Sequence, residues 1–160
     1  MNHSQTDHIT TVWLEMVHSH EELLRGVGVF LSSDKKEREK ALICNYSGNR
    51  PLTVLLLRDY VPVEDLKALL PFLLSNAESV HQYLFAFRTI ILRIPREWLM
   101  AHIEEAAQSI LKDGDDETYP RLIELYIQID RSLAIRLANQ AIASVDAETR
   151  AVGSEFLEIL

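Results

Sequence analysis

Residues 80–94, VHQYLFAFRTIILRI, limit the possible folds more than any other stretch of the chain. Ten of these fifteen residues are apolar, too many for one narrow stripe. At about 100° per residue, Val80, Leu84, Phe87 and Ile91 share one face, which Tyr83, Ile90 and Ile94 widen. Phe85 and Leu92 fall on the other side, among His81, Gln82, Arg88 and Thr89. A helix apolar on nearly all sides has packed neighbours on more than one side. The segment is therefore expected at the centre of a helical stack, as a helix opened by the capping pattern Ser75-x-x-Glu78 and closed by Pro95.

The rest of the chain supports an all-α fold. Its 160 residues suit one domain with a sizeable core, expected over 9–160 with a flexible N-terminus at 1–8. Five Gly and five Pro are few, which favours long helices. Residues 9–17 and 52–60 fit either a helix or a strand, and helix is preferred for the first because no partner strand is evident. Ser19-x-x-Glu22 is a second capping pattern. Asp34 precedes the mixed-charge helix KKEREKALICNY, residues 46–50 form a loop, and Pro51 opens the next element. Pro62 with Glu64 and Asp65 is a helix start, since acids favour the positive end of the helix dipole, and Pro71 should kink or split that helix. Leu99, Ile103, Ala106 and Ile110 form one stripe after Pro95. Leu122, Leu125, Tyr126 and Ile129 form another in a helix starting at 115–118. Asp130 and Asp146 precede the last two helices. About seven to nine helices are expected.

Composition excludes several functions. The net charge is −8, and residues 101–160 carry most of it, with twelve Asp/Glu against five Lys/Arg. Nucleic-acid affinity comes largely from Lys and Arg neutralising phosphates, so no nucleic-acid partner is expected. No apolar run approaches the roughly 20 residues that span a bilayer, and the N-terminus lacks the basic-then-apolar order of a signal peptide. A cytoplasmic protein without membrane association is the expectation. The single Cys44 excludes an intramolecular disulfide and is read as a small buried thiol.

From about residue 77 the helices come in pairs at spacings of roughly 30–45 residues, the mark of an α-solenoid. The last helix carries a more specific pattern. Asp146, Arg150, Gly153 and Leu157 resemble the first helix of a HEAT repeat, with an acid at the turn, Arg four residues on, a small residue three later, then Leu. Thr149 and Gly153 stand where that family prefers Val and Ala. Physically, Asp146 caps the helix and can meet Arg150 one turn along, while Gly153 lets a neighbouring helix come close. The resemblance implies a short right-handed α-solenoid, HEAT-like in its second half. Such proteins mostly bind other proteins. Phe156 and Leu157 are expected to be buried, because a terminal helix with this face forms by docking.

The candidate chemical sites are weak. His18 and His20 with Glu21 and Glu22 have a spacing that suits a strand rather than a helical metal site. His102 and Glu105 form an H-x-x-E pair without the matched carboxylate helices of a di-iron bundle. Asp113, Asp115, Glu117 and Glu124 match calcium-loop offsets, but Thr118 stands where the loop needs Gly. Gly26-Val27-Gly28 is not a dinucleotide fingerprint and is read as a site of close helix packing. No cofactor, metal or catalytic residue is assigned. The candidate partner-binding surface is Phe85, Arg88, Leu92, Arg93, Arg96 and Trp98, where aromatic and arginine side chains concentrate as they do at interface centres. Its expected partner is another protein, presenting an acidic peptide or helix. Some HEAT-like proteins are enzymes, bilin lyases and DNA glycosylases among them, and a small enzyme of that kind is the alternative.

Overall fold

The computed structural model describes residues 3–78, 82–112 and 117–160. Among these the chain forms ten helices and no strand: α1 (His3–Ser32), α2 (Lys35–Asn45), α3 (Arg50–Asp59), α4 (Val63–Ala68), α5 (Leu70–Glu78), α6 (Leu84–Ile91), α7 (Arg96–Lys112), α8 (Thr118–Ile129), α9 (Arg131–Ile142) and α10 (Ala147–Ile159). Both ambiguous segments are helical, 9–17 throughout and 52–60 as far as Asp59. Among the described residues, no helix is long and apolar enough to cross a membrane.

The helix starts follow local chemistry. The Asp34 carboxylate accepts from the Lys36 amide at 2.8 Å, and the Asn49 side chain accepts from the Leu52 amide ahead of Pro51. Pro62 stands at the N-cap of α4, with Glu64 and Asp65 in its first turn. Asp130 accepts from the Ser132 amide and Asp146 from the Thr149 amide, each at 2.7 Å. Pro71 sits in the first turn of α5, one turn after α4 ends, so the expected split occurs at Leu69.

Neither capping box opens a helix. Ser19 and Glu22 lie inside α1, and Ser75 and Glu78 lie inside α5. The Ser75 hydroxyl donates back to the Phe72 carbonyl at 3.0 Å, a bond available only within a helix already formed. The central helix is correspondingly shorter than expected, eight residues in α6. It ends in tight turns, Arg93 N–H to Ile90 O and Ile94 N–H to Ile91 O, because the residue before Pro95 is driven out of helical geometry. Ser79, Val80 and His81 of the expected helix lie outside the described residues, as do Asp113, Gly114, Asp115 and Asp116. The following helix begins at Thr118.

The chain divides into two compact units, Met1–Cys44 and Asn45–Leu160. In the first, α1 is a 30-residue helix whose residues 8–22 are all exposed. Val27 and Leu42 are its buried apolar residues. A Cβ at Gly26 or Gly28 would meet nothing within 4 Å, so these glycines do not serve close packing. Cys44 is exposed, since it lies on the face of α2 turned from Leu42.

The second unit holds the main core. Here α6 packs against α5 and α3, as a helix apolar on several sides requires. Phe87, Ile90, Ile91 and Ile94 are 2 % exposed or less. Tyr46, Phe72 and Phe87 meet edge-to-face with centroids 5.5 to 6.1 Å apart, the arrangement the ring quadrupole prefers. The α7 stripe runs through Leu99, Ile103 and Ala107; Ala106 and Ile110 are only half-buried. The chain then continues as α8, α9 and α10, with α9 against both neighbours and α10 also reaching α8. Gly153 has the expected role, for a Cβ there would lie 2.6 Å from the Ala138 carbonyl oxygen. Phe156 and Leu157 are half-buried rather than buried, because α10 is covered on its α8–α9 side.

Candidate functional site

The six candidate residues occupy the second unit, and the structure divides them by role. Phe85 and Leu92 are exposed, 76 % and 40 % respectively. Arg88, between them on the same side, is 6 % exposed. Its Nη2 donates to the Arg121 carbonyl and to Glu124 Oε2, both at 2.9 Å, tying α6 to α8.

Arg93 and Arg96 close helix ends. Arg93 donates to the carbonyls of Leu57, Arg58 and Val61, at the turn between α3 and α4. The Leu57 and Arg58 carbonyls are among the last of α3, which no intrahelical partner can satisfy. Arg96 donates from Nε to the Ile129 carbonyl at 2.9 Å and pairs with Asp130, at the turn between α8 and α9. Arg38 and Arg150 do the same at their own turns. Arg38 donates to the Leu31 and Ser33 carbonyls, and Arg150 to those of Ser144 and Val145. Arg150 thus reaches the preceding turn rather than bonding Asp146.

Two grooves result. The first, about 780 Å³, runs between α6 and α8. Leu84, Phe85 and Pro120 give it apolar walls, and Arg88, Arg121 and Glu124 a charged floor. Arg121 is itself held, donating to the Glu78 carbonyl at 2.8 Å and pairing with Glu117. The second, about 570 Å³, contains Trp98 with Lys67, Pro71, His102 and Glu105. The His102 ring stacks on Trp98 at 4.1 Å, its Nδ1–H donating to the Trp98 carbonyl at 2.7 Å. Lys67 Nζ lies 5.6 Å from the centroid of the Trp98 ring while pairing with Glu64 at 2.7 Å. Phe85 and Arg88 therefore share one groove, Trp98 lines the other, and Arg93, Arg96 and Leu92 line neither. Pro120, Arg121 and Lys67 escaped the sequence reading, since each joins its groove through contacts between residues distant in the chain.

Asp130 and Asp146 show what the capping geometry does to charge. The Ser132 hydroxyl and amide, with Arg96 behind them, hold Asp130 below the usual carboxylate range. The Thr149 amide and hydroxyl do the same for Asp146, with Arg150 contributing. A carboxylate with a lowered folded-state pKa adds stability that is fully present above its unfolded value, about 3.9. That stability is lost as pH falls through the folded value. Melting temperature should therefore drop below about pH 4, and Asp130→Asn with Asp146→Asn should flatten this acid limb. Asn caps helices as well as Asp but does not titrate. Melts from acid to neutral pH check this, and an unchanged acid limb in the double variant would place its origin elsewhere.

Among the described residues, no group of three or more His, Cys, Asp or Glu is placed to hold a metal ion. Each groove carries one aromatic ring, Phe85 exposed in the first and Trp98 half-buried beneath His102 in the second. Comparison of the chain with protein-family models, with curated proteins and with solved structures found no match.

Proposed function

We propose that the chain is a non-catalytic protein-binding module, built on a short right-handed helical stack that is HEAT-like in its second half. Sequential packing of α8, α9 and α10, an Asp at two successive N-caps and the close approach at Gly153 support the stack. The observation that carries the binding role is Phe85, 76 % exposed at the rim of a groove of about 780 Å³. An aromatic ring beside an apolar-walled groove offers a partner a large contact area with little conformational entropy to lose.

The partner is another protein, presenting a helix or extended segment with an apolar anchor against Phe85, Leu84 and Pro120. The acidic peptide expected from the sequence meets arginines already committed to carbonyls and carboxylates. Its acids accordingly contribute less than its anchor. The test is capture from the native cell by the immobilised full chain and by Phe85→Glu, read by mass spectrometry. The variant should lose at least one captured protein while its melting temperature barely moves, since the replaced ring is exposed. Identical capture by both would remove the groove from the binding surface.

A further inference from the structure

The first unit carries a surface of its own. Ile9, Trp13, Met16, His20, Leu23, Val27 and Phe30 follow one another at alternating steps of four and three along α1. A 3.5-residue period is the repeat of a coiled-coil seam. The positions flanking the seam are Thr10, Val12, Val17, Ser19, Leu24 and Gly26, and none of them is charged. Glu15, His18, Glu21, Glu22 and Arg25 all fall on the outward side, with Leu14.

The C-terminal part of this seam is occupied within the fold, with Val27 buried and Leu23 and Phe30 half-buried. The N-terminal part is bare. Ile9 is 64 %, Trp13 62 % and Met16 59 % exposed, and Val12, Val17 and Leu24 are about 40 % exposed. A helix without neighbours gains little from propensity alone and owes its stability to a packed apolar face. Together these six side chains leave apolar surface on the order of 600 Å² in one strip, the upper end of what a monomer shows in a single patch.

We propose that this seam pairs the chain with a second copy of itself through α1. Two copies would bury roughly 1,200 Å², where specific interfaces begin. The flanking positions decide between a copy and a foreign helix. Seams that choose a different partner place charges there, attractive towards it and repulsive towards self. This seam has no flanking charge to repel a second copy, and His20 is its one polar position. The proposal is independent of the groove beside Phe85, which lies in the other unit.

Sedimentation of the full chain across the micromolar range tests it. The mass should rise from 18.3 kDa towards twice that value. Trp13→Glu with Met16→Glu should weaken association by roughly 100-fold, since charges would be buried in the seam. Leu14→Glu, equally exposed on the same helix but off the seam, should leave association unchanged. Circular dichroism should give all three chains the same helix content. A chain that stays monomeric throughout overturns the proposal, even if a helix of another protein then proves to bind α1. Unchanged dimerisation of the double variant overturns it too, as does equal loss in Leu14→Glu.

Discussion

Arg88→Glu should lower stability by about 3 kcal/mol, the lower end of what breaking a buried ion pair costs. The guanidinium is nearly buried, and its Nη2 serves both Glu124 and the Arg121 carbonyl. Glutamate there would bring two carboxylates together and leave that carbonyl without its donor. The lower end applies because the Glu124 side chain is 52 % exposed, so water screens part of the repulsion. For a chain of this size the melting temperature should fall by about 6–12 °C. Arg88→Met, which keeps the stem and omits the new charge, should fall less. A melting temperature unchanged in Arg88→Glu would mean that α6 and α8 are held by their apolar contacts alone.

Gly153→Val should be comparably damaging, for a steric reason. A Cβ at this position lies 2.6 Å from the Ala138 carbonyl oxygen and 2.8 Å from the Ile142 amide nitrogen. Both are backbone atoms of α9 and cannot rotate away, so α10 must lift off its neighbour. Overpacking costs typically about 1–3 kcal/mol, and the branched side chain should reach the upper part of that range. Gly153→Ala is the sharper experiment. Alanine favours a helix interior over glycine by about 1 kcal/mol, yet here the clash should outweigh the propensity and the melting temperature should fall. Gly26→Ala is the matched control, because its Cβ meets nothing within 4 Å; there the propensity gain stands alone. Stabilisation at both positions would show that α10 sits further from α9 than the geometry requires.

These two sites differ in how far the sequence disclosed them. Gly153 was legible, since a small residue one turn beyond Arg150 in a capped helix has few other uses. Asp34, Pro51, Pro62, Asp130 and Asp146 were legible as helix starts, because a cap acts through residues two or three away. Ser19 and Ser75 misled for the same locality. Their pattern matches a capping box, but whether Ser stands outside a helix depends on what precedes it, and both are preceded by residues that stay helical. The arginines were visible only as a basic cluster. Arg93 finds its carbonyls 32 to 36 residues back along the chain, and Arg96 and Arg88 reach 33 to 36 residues forward. No periodicity encodes such distances. Phe85 was identified as lying on the far side of the central helix, whereas Pro120 and Arg121 join it only because α8 lies alongside.

The turns fastened by Arg38, Arg93, Arg96 and Arg150 each rest on one side chain that bonds two or more acceptors. The planar guanidinium carries its donors in a fixed fork, so one side chain spans neighbouring acceptors that a lysine ammonium on a flexible stem would hold less rigidly. Buried Tyr126, whose phenol donates to the Ile103 carbonyl, has its ionisation pushed upward by burial, so the stability it contributes is present below the unfolded value of about 10 and is lost as pH rises beyond it. The fold should therefore lose stability at both ends of the pH range, in acid as its capping carboxylates protonate and in base as the phenol of the unfolded chain ionises.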